Sequence, residues 1–224
     1  MGSDDIFKKR RAERTKRKES IREKNPLKYL IVCEGARTEP LYFEEIKRRI
    51  ADKYEAQRVN DYVTLEIEGT GRNTIDLVDW TIKKMKAVSI PYGEVWAVFD
   101  RDSFPAHNFD NAIHKAEANG IKVAWSNEAI ELWFLLHFEY LNTGIDRKQY
   151  IDKLNEEFDK CGIGKYEKNR PDIYSMLEKN GDKYEARKRA ERLLETHGER
   201  AYHDKHPATT VHLLMQELEA ILDS

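Results

Sequence analysis

Apolar and polar residues alternate along roughly the first 140 residues in a pattern that predicts strands and helices in turn. Short apolar runs predict four strands, at 28–33, 63–68, 94–99 and 121–125. Apolar residues at helical spacing predict a helix that starts near residue 38, further helices over 74–87 and 109–119, and a strongly apolar helix over 129–138. Such alternation indicates parallel βαβ units. We therefore predict an α/β fold with a mainly parallel four-stranded sheet flanked by helices.

The pattern changes after residue 140, where the strand signal fades and helical spacing continues. Helices or helix fragments are predicted over 146–159, 174–177, 183–197 and 209–222. We expect a C-terminal helical region, residues 141–224, which packs on an α/β core of residues 28–140.

The first 27 residues are predicted to form a basic arm outside that core. Residues 6–28 carry 11 basic and 3 acidic side chains, whereas the whole chain has a net charge of −2. The charged stretch stops at Asn25-Pro26, since proline disfavours helix in the residue before it. The arm is expected to be helical or disordered, and it either binds nucleic-acid phosphates or remains a solvated tail without a partner.

Composition excludes several classes of protein. A hydrophobic fraction of 40% allows a sizeable core, and only two cysteines, Cys33 and Cys161, exclude a disulfide-rich secreted scaffold or a four-cysteine zinc site. No apolar run approaches the roughly 18 residues of a membrane span, and the N-terminus is charged where a signal peptide would be apolar. We expect a cytoplasmic protein with no membrane segment.

Acidic residues follow two of the predicted strands at the point where each strand ends. Glu34 comes directly after the first strand, Asp100 and Asp102 come after the third, and Glu39 stands at the entry to the first helix. Glu128 follows the fourth strand in the same way. Because the carboxyl ends of parallel strands meet at one edge of a sheet, these side chains are expected to lie close together.

A cluster of this kind favours a bound cation. Asp100 and Asp102 are two residues apart, so in extended backbone their side chains point the same way, and Arg101 points oppositely. Two carboxylates at about 4 Å repel by roughly 4 kcal/mol at an effective dielectric near 20, so the cluster either raises its pKa values or holds a cation. Oxygen ligands select Mg²⁺, with Mn²⁺ or Ca²⁺ as substitutes. Taken alone, each acid could equally belong to a turn or a helix cap.

Two segments resemble the TOPRIM domain of topoisomerases, primases and nucleases. They are Val32-Cys33-Glu34-Gly35-x-x-Thr38-Glu39 and Val98-Phe99-Asp100-Arg101-Asp102. A longer set of segments is similar to RloB-like proteins, which accompany restriction and anti-phage loci in bacteria and archaea. That set adds Tyr29 to Phe43, Asp100-x-Asp-x-Phe104, Ser126-Asn127, Glu131-Leu-Trp-x-Leu-Leu-His137 and Pro207-x-Thr209.

The resemblance implies a TOPRIM/Rossmann-like fold and a nuclease that cleaves DNA or RNA, in anti-phage defence. By the same resemblance, Glu34, Asp100 and Asp102 bind Mg²⁺, with Mn²⁺ as a possible substitute, and Glu39 assists. RloB-like proteins tend to have proline at position 128, where this chain has Glu128. We therefore rank Glu131 above Glu128 as an additional acid, although Glu131 could equally accept a structural hydrogen bond on its apolar helix.

Phosphate binding and the remaining motifs are less specific. Arg37, Arg72 and Lys205 are candidate phosphate ligands, but each could be a solvated charge among 39 basic residues. His203-x-x-His206 has metal-like spacing, yet a surface pair is the simpler interpretation. The aromatic residues could stack on bases, but their positions on a buried strand and an apolar helix favour a place in the core: Trp125, Trp133, Phe134 and Phe138.

Two other classes of function remain open. A non-catalytic TOPRIM module could recruit nucleic acid or a partner protein through the basic arm, although the intact acids argue against it. A phosphoacceptor receiver domain would need one solitary aspartate after the third strand, which Asp100-Arg101-Asp102 does not match. Partners are expected to be nucleic acid and either a second copy of the chain or a protein of the same defence locus.

Overall fold

A computed structural model describes residues 25–57, 63–102 and 105–224, which form a five-stranded sheet flanked by helices. The spatial order of the strands is β2-β1-β3-β4-β5. The first four strands are parallel to one another, and β5 is antiparallel to β4. The strands are β1 Asn25–Cys33, β2 Thr64–Gly69, β3 Tyr92–Asp100, β4 Lys122–Asn127 and β5 Ala208–Thr209.

Helices connect the strands and make up most of the chain after β4. They are α1 Thr38–Gln57, α2 Thr74–Ala87, α3 Ala106–Ala118, α4 Glu131–Leu135, α5 Arg147–Lys160, α6 Ile173–Asn180, α7 Lys183–His197 and α8 Val211–Asp223, with a short 3₁₀ helix at Tyr202–Asp204. No helix among the described residues is both long and apolar enough to cross a membrane.

The two faces of the sheet bury different helices, because successive strand residues point to opposite sides. Ile31 and Cys33 of β1 face one core, which contains side chains from α1 and from α4 through α8. Leu30 and Val32 face the second core, which contains side chains from α2 and α3. The helices after residue 140 therefore share a core with the sheet. The division into domains at residues 27 and 140 stays a prediction.

The α/β class and the mainly parallel sheet are confirmed, but the predicted number of strands is wrong. The sequence predicts a helix or helix fragment over 209–222, whereas Thr209 lies in β5 and α8 begins at Val211. Ser126 pairs with Thr209 and Asn127 with Ala208. Two residues are too few for strand periodicity to be visible in a sequence, so only tertiary pairing reveals this strand.

Several element boundaries agree closely with the sequence, and the agreement has a local cause. The helices at 74–87 and 183–197 are confirmed. The Asn73 side chain caps α2 by accepting a hydrogen bond from the Asp76 amide, and Asp146 and Gln149 form a capping box at the start of α5. The helix predicted over 129–138 is shorter, at Glu131–Leu135. Residues 1–24 of the predicted arm lie outside the described part, and 25–27 belong to β1.

Candidate functional site

The strand connections reverse direction between β1 and β3, and a cleft lies at the carboxyl ends of these two strands. From β1 the chain moves outward to β2, then returns past β1 to β3 and continues to β4. Open α/β sheets bind ligands at such a switch point, where the loops diverge. The cleft has a volume of about 440 Å³. Its lining residues are Glu34, Gly35, Glu39, Gly71, Arg72, Asn73, Asp100, Asp102 and Arg147.

Glu34 is held against the end of the neighbouring strand. Its backbone amide donates to the Val98 carbonyl at 2.9 Å, which continues the β1–β3 ladder by one residue. Its side chain accepts from the Asp100 backbone amide at 3.2 Å and from the Thr74 hydroxyl at 3.3 Å. Glu34 thus contacts the backbone of Asp100 and the first residue of α2, and it lines the same cleft as the Asp100 carboxylate.

Asp100 and Asp102 share one cation, which is the guanidinium of Arg147. Nη2 of Arg147 lies 2.9 Å from Oδ2 of Asp100, and Nη1 lies 3.1 Å from Oδ2 of Asp102. The backbone between the two acids is not extended as expected, since β3 ends at Asp100 and Asp102 has φ +42°. That conformation is uncommon for a residue other than glycine. The Asp102 amide donates to the Glu128 carbonyl at 3.1 Å, which helps to hold the turn.

Glu39 is buried in the first turn of α1 beside a glycine that leaves room for it. A methyl group placed on Gly35 would overlap the Glu39 carboxylate. The Glu39 side chain is 7% exposed and lines the cleft. The Glu-Gly pair at 34–35 therefore does two things: it supplies one acid, and it admits a second acid from the following helix.

Glu131 lies at the first turn of α4, buried behind the cleft. Oε1 of Glu131 accepts a hydrogen bond from the Tyr166 hydroxyl at 3.1 Å, and Oε2 lies 3.9 Å from Nε of Arg147. Tyr166 belongs to the loop between α5 and α6, and the Thr38 hydroxyl contacts Asn169 of that loop at 3.3 Å. Both functions proposed for Glu131, an additional acid and a hydrogen-bond acceptor, are compatible with this position.

The carboxyl groups of the cleft hold their protons more tightly than ordinary carboxyl groups. Burial, together with the charges of Glu39 and Asp102, raises the pKa of Glu34 to about 7 against the opposing hydrogen bonds from Asp100 and Thr74. Burial, and then the charge of Glu131, raises the pKa of Glu39. The pKa of Asp100 lies well above its ordinary value because burial and the Glu39 charge outweigh the attraction of Arg147. One guanidinium thus compensates the cluster only in part.

The donor chemistry fits a hard divalent ion, but the present side-chain arrangement does not assemble three ligands. Glu34, Asp100 and Asp102 offer carboxylate oxygens to one cleft, which is the ligand set that Mg²⁺ and Mn²⁺ favour. Within residues 25–57, 63–102 and 105–224, no group of three or more His, Cys, Asp or Glu side chains is close enough to hold a metal ion. Arg147 occupies the space between the two aspartates.

The other predicted residues separate into those at the cleft and those away from it. Arg72 lines the cleft and lies over the Trp80 ring, 5.8 Å from its centroid. Neither Arg37 nor Lys205 lines the cleft. Arg37 is exposed at the end of the β1–α1 loop, and Lys205 lies over the Tyr202 ring. Glu128 contributes its backbone carbonyl to Asp102, and its side chain is not among the lining groups.

The histidines and aromatic residues follow the simpler interpretation. His203 pairs with Asp110, with 2.7 Å between Nδ1 and Oδ2, and His206 bonds the Ile145 carbonyl, so the two histidines have separate partners. The candidate base-stacking residues belong to the two cores, fully or in part: Trp125, Trp133, Phe134 and Phe138.

Sequence reasoning missed Arg147, the residue that makes the closest side-chain contacts with Asp100 and Asp102. The sequence around Arg147 could have predicted its place in a helix. The Asp146/Gln149 capping box marks the start of α5 and puts Arg147 at the first helical position. Nothing in the spacing shows that this end of α5 faces the acids, since the contact joins residues 47 and 45 positions apart.

The fold and the cleft together define a mostly parallel α/β protein with an acidic site at the switch between β1 and β3. A family model described as RloB-like protein matches residues 29–218, so the chain belongs to the RloB-like family. No curated protein matches the chain, and no solved structure matches it either. The family match confirms the resemblance of the longer set of segments.

Proposed function

We propose that this protein is a TOPRIM-type nuclease that uses Mg²⁺, or Mn²⁺ in its place, to cleave phosphodiester bonds of DNA or RNA in anti-phage defence. The observation that carries the proposal is the convergence of Glu34, Asp100 and Asp102 on one cleft from strands that are neighbours in the sheet. Raised pKa values of Glu34 and Asp100 add support, because such an excess of buried acid favours cation binding.

Each acid has a distinct role in this proposal. Glu34, Asp100 and Asp102 would hold the ion, which supplies positive charge to the phosphodiester and to its leaving oxygen. Glu39 lies beside the loop after β1 and has a carboxyl group whose pKa is raised by burial, so it would serve as the group that accepts or returns a proton. Glu131, which accepts a hydrogen bond from the Tyr166 hydroxyl, would attract the guanidinium of Arg147 electrostatically from 3.9 Å.

Phosphate binding would come from the basic side chains at the rim. Arg72 lies on the cleft wall beside the loop before α2, and Arg37 is exposed near the entry to α1. A polyanionic strand would gain affinity from these charges and from the basic arm, with the strong salt dependence that phosphate contacts produce.

The experiment that tests the proposal compares cleavage by wild type and two variants, Asp100→Asn and Glu34→Gln. Purified protein is incubated with single-stranded and double-stranded DNA, transfer RNA and total RNA, with Mg²⁺, with Mn²⁺ or with a chelator. We expect metal-dependent cleavage of one of these substrates by wild type and none by the variants. Wild-type rates in either variant, or cleavage that persists in the chelator, would contradict the proposal.

One observation favours the non-catalytic alternative. Arg147 already pairs with both aspartates, which is how a module that never binds metal would neutralise them. The two functions differ in metal uptake: a module of this kind would bind nucleic acid equally well with and without a divalent ion. Absence of Mn²⁺ binding by wild type, together with metal-independent nucleic-acid binding, would therefore favour the alternative.

A further inference from the structure

The Arg147 side chain lies where two carboxylates of the candidate metal site meet. Its two terminal nitrogens contact one aspartate each, at 2.9 Å to Asp100 and 3.1 Å to Asp102. Its third nitrogen, Nε, is buried without a hydrogen-bond partner, although Glu131 is 3.9 Å away. Arg147 is therefore well placed as a counter-charge but incompletely satisfied, which is costly for a guanidinium with five N–H donors.

The backbone at Arg147 is fixed, and its side chain is not enclosed. The capping box of Asp146 and Gln149 holds the first turn of α5. The Arg147 side chain remains 29% exposed at the cleft. A change of rotamer can therefore move the guanidinium away from the aspartates without displacing the helix.

A divalent ion would compete directly with this guanidinium. An ion between the oxygens of Asp100 and Asp102 needs the lone pairs that Arg147 now uses, and it brings two charges where Arg147 brings one. In its present position Arg147 lines the cleft with Nε 3.9 Å from Oε2 of Glu131, so a guanidinium that leaves the aspartates by a change of rotamer would remain at the cleft wall. A phosphodiester beside the ion would then offer Arg147 paired anionic oxygens that match its fork.

We propose that Arg147 is an exchangeable cation: it neutralises Asp100 and Asp102 while the cleft is free of metal, a divalent ion displaces it, and the released guanidinium binds the phosphate of the substrate. This inference rests on the proposed metal-dependent function. It adds that the affinities for metal and for nucleic acid are linked through one side chain, because each ligand favours the displaced position of Arg147.

The first test measures Mn²⁺ binding by isothermal titration calorimetry, with no nucleic acid present, for wild type, Arg147→Gln and Arg101→Gln. We expect Arg147→Gln to bind Mn²⁺ about tenfold tighter than wild type, since no guanidinium has to leave the aspartates. Arg101 supplies the matched control because it is adjacent in sequence to both aspartates but contacts Asn127, at 3.5 Å. Its substitution removes the same charge and should change the affinity less than about threefold.

The outcomes separate failure of this inference from failure of the proposed function. Equal or weaker Mn²⁺ binding by Arg147→Gln, with clear binding by wild type, would overturn only the role of Arg147. Equal tightening by Arg147→Gln and Arg101→Gln would also overturn it, because charge alone would explain the change. No Mn²⁺ binding by any variant would remove the metal site itself. If Arg147→Gln fails to fold, Arg147→Met replaces it, because it also removes the charge that competes with the ion, and the same tightening of Mn²⁺ binding is expected.

The second test measures binding of a cleavage-resistant phosphorothioate oligonucleotide by wild type and Arg147→Gln, with Ca²⁺ and without any divalent ion. With Ca²⁺, the variant should bind about fivefold more weakly or worse, because the displaced guanidinium is missing. Without a divalent ion, the two proteins should bind alike, since Arg147 remains on the aspartates. A similar loss under both conditions would show a permanent phosphate contact and would overturn the exchange.

Discussion

Two groups of carboxylates in this protein each share one basic side chain, yet their surroundings give them opposite properties. At the edge of the sheet, Nζ of Lys84 lies 2.5 Å from both Glu66 and Glu68. In the cleft, Arg147 bridges Asp100 and Asp102 in a comparable way. We refer to these as the edge cluster and the cleft cluster. They differ in burial and in how many further acids stand nearby.

The basic side chain outweighs the effect of burial on Glu66 in the edge cluster but not on Asp100 in the cleft cluster. Burial alone would raise the pKa of Glu66, but Lys84 and the Tyr92 hydroxyl lower it overall. In the cleft, burial and Glu39 raise the pKa of Asp100 despite the contact with Arg147. A basic side chain between two carboxylates is therefore not enough to show that the carboxylates serve only the stability of the fold. The distinguishing property is negative charge that the basic side chain leaves uncompensated, because such charge favours the binding of a further cation.

The largest expected difference between the clusters concerns catalysis. Under the proposed function, Asp100→Asn should reduce metal-dependent cleavage by about 1000-fold or more, because it would remove a ligand of the ion that stabilises transition-state charge. Glu66→Gln, a change of the same kind in the edge cluster, should leave the rate within about twofold of wild type. Initial rates under single-turnover conditions measure both effects, and circular dichroism confirms that both variants are folded. Equal losses of cleavage rate in the two variants would contradict the prediction that only the cleft cluster takes part in cleavage.

Stabilisation by metal should separate the clusters next. At a Mn²⁺ concentration about 100 times the dissociation constant, the folded protein gains roughly 2.7 kcal/mol, which raises the melting temperature. We expect this gain in wild type and in Glu66→Gln and its absence in Asp100→Asn, as measured by differential scanning fluorimetry with and without chelator. A full Mn²⁺ shift in Asp100→Asn would mean that the ion binds elsewhere.

The pH dependence of stability should have opposite signs for Glu34, which lines the cleft beside the cleft cluster, and for Glu66 of the edge cluster. Burial raises the pKa of Glu34 to about 7 from an ordinary value of 4.5, so its contribution to stability is present below 4.5 and is lost as the pH rises through 7. Relative to wild type, metal-free Glu34→Gln should therefore gain up to about 3 kcal/mol between these pH values. Urea unfolding at a series of pH values measures the difference. A flat difference would show that Glu34 titrates as an exposed acid.

Glu66 gives the opposite slope, and a smaller one. Its lowered pKa contributes stability that is present above 4.5 and is lost as the pH falls through the folded-state pKa. Glu66→Gln should therefore lose less stability than wild type on acidification below 4.5. The side chain is 37% exposed, so solvent reduces the effect to a few tenths of a kcal/mol. The same urea series detects this effect. A stability of Glu66→Gln relative to wild type that increases as the pH rises, as expected for Glu34→Gln, would contradict the comparison.

The smallest expected effect on function is that of replacing Lys84, which contacts Glu66 and Glu68 of the edge cluster. Lys84→Gln should destabilise the fold by about 0.5 kcal/mol, because partly exposed ion pairs contribute little. Mn²⁺ affinity and cleavage should not change, in contrast to the effects expected for Arg147. A change in Mn²⁺ affinity on replacing Lys84 would indicate that the two clusters are electrostatically coupled.

Elements with a strong local signal were predictable from the sequence, and those that depend on distant contacts were not. The parallel strands and the helix at 74–87 were visible in periodicity, and Asn73 capped that helix as its residue type favours. The position of Glu34 and Asp100 at adjacent strand ends followed from the order of the elements. The side chains that contact Glu34 and Asp100 could not be predicted in this way, since a carboxylate in the sequence gives no indication of which side chain will face it.

Three features of the site were fixed only by tertiary structure. Arg147 reaches the aspartates from a helix that starts 47 residues after Asp100 in the sequence. Asp102 adopts φ +42°, which no residue pattern around it indicates. The two-residue strand β5 forms through pairing with β4 alone. In each case the energy comes from contacts between segments far apart in the chain, which local patterns cannot encode.

The short strand β5 has a consequence for how the protein is made. Thr209 joins Ser126 through their hydroxyl groups at 3.0 Å, across 83 residues of chain. On the ribosome, β4 therefore emerges long before the neighbour that completes its free edge. A nascent chain carries every acid of the cleft while β4 still has an unpaired edge. Truncated translation products that end before β5 should therefore keep an unpaired edge on β4, and such an edge is a template for pairing with strands of other chains.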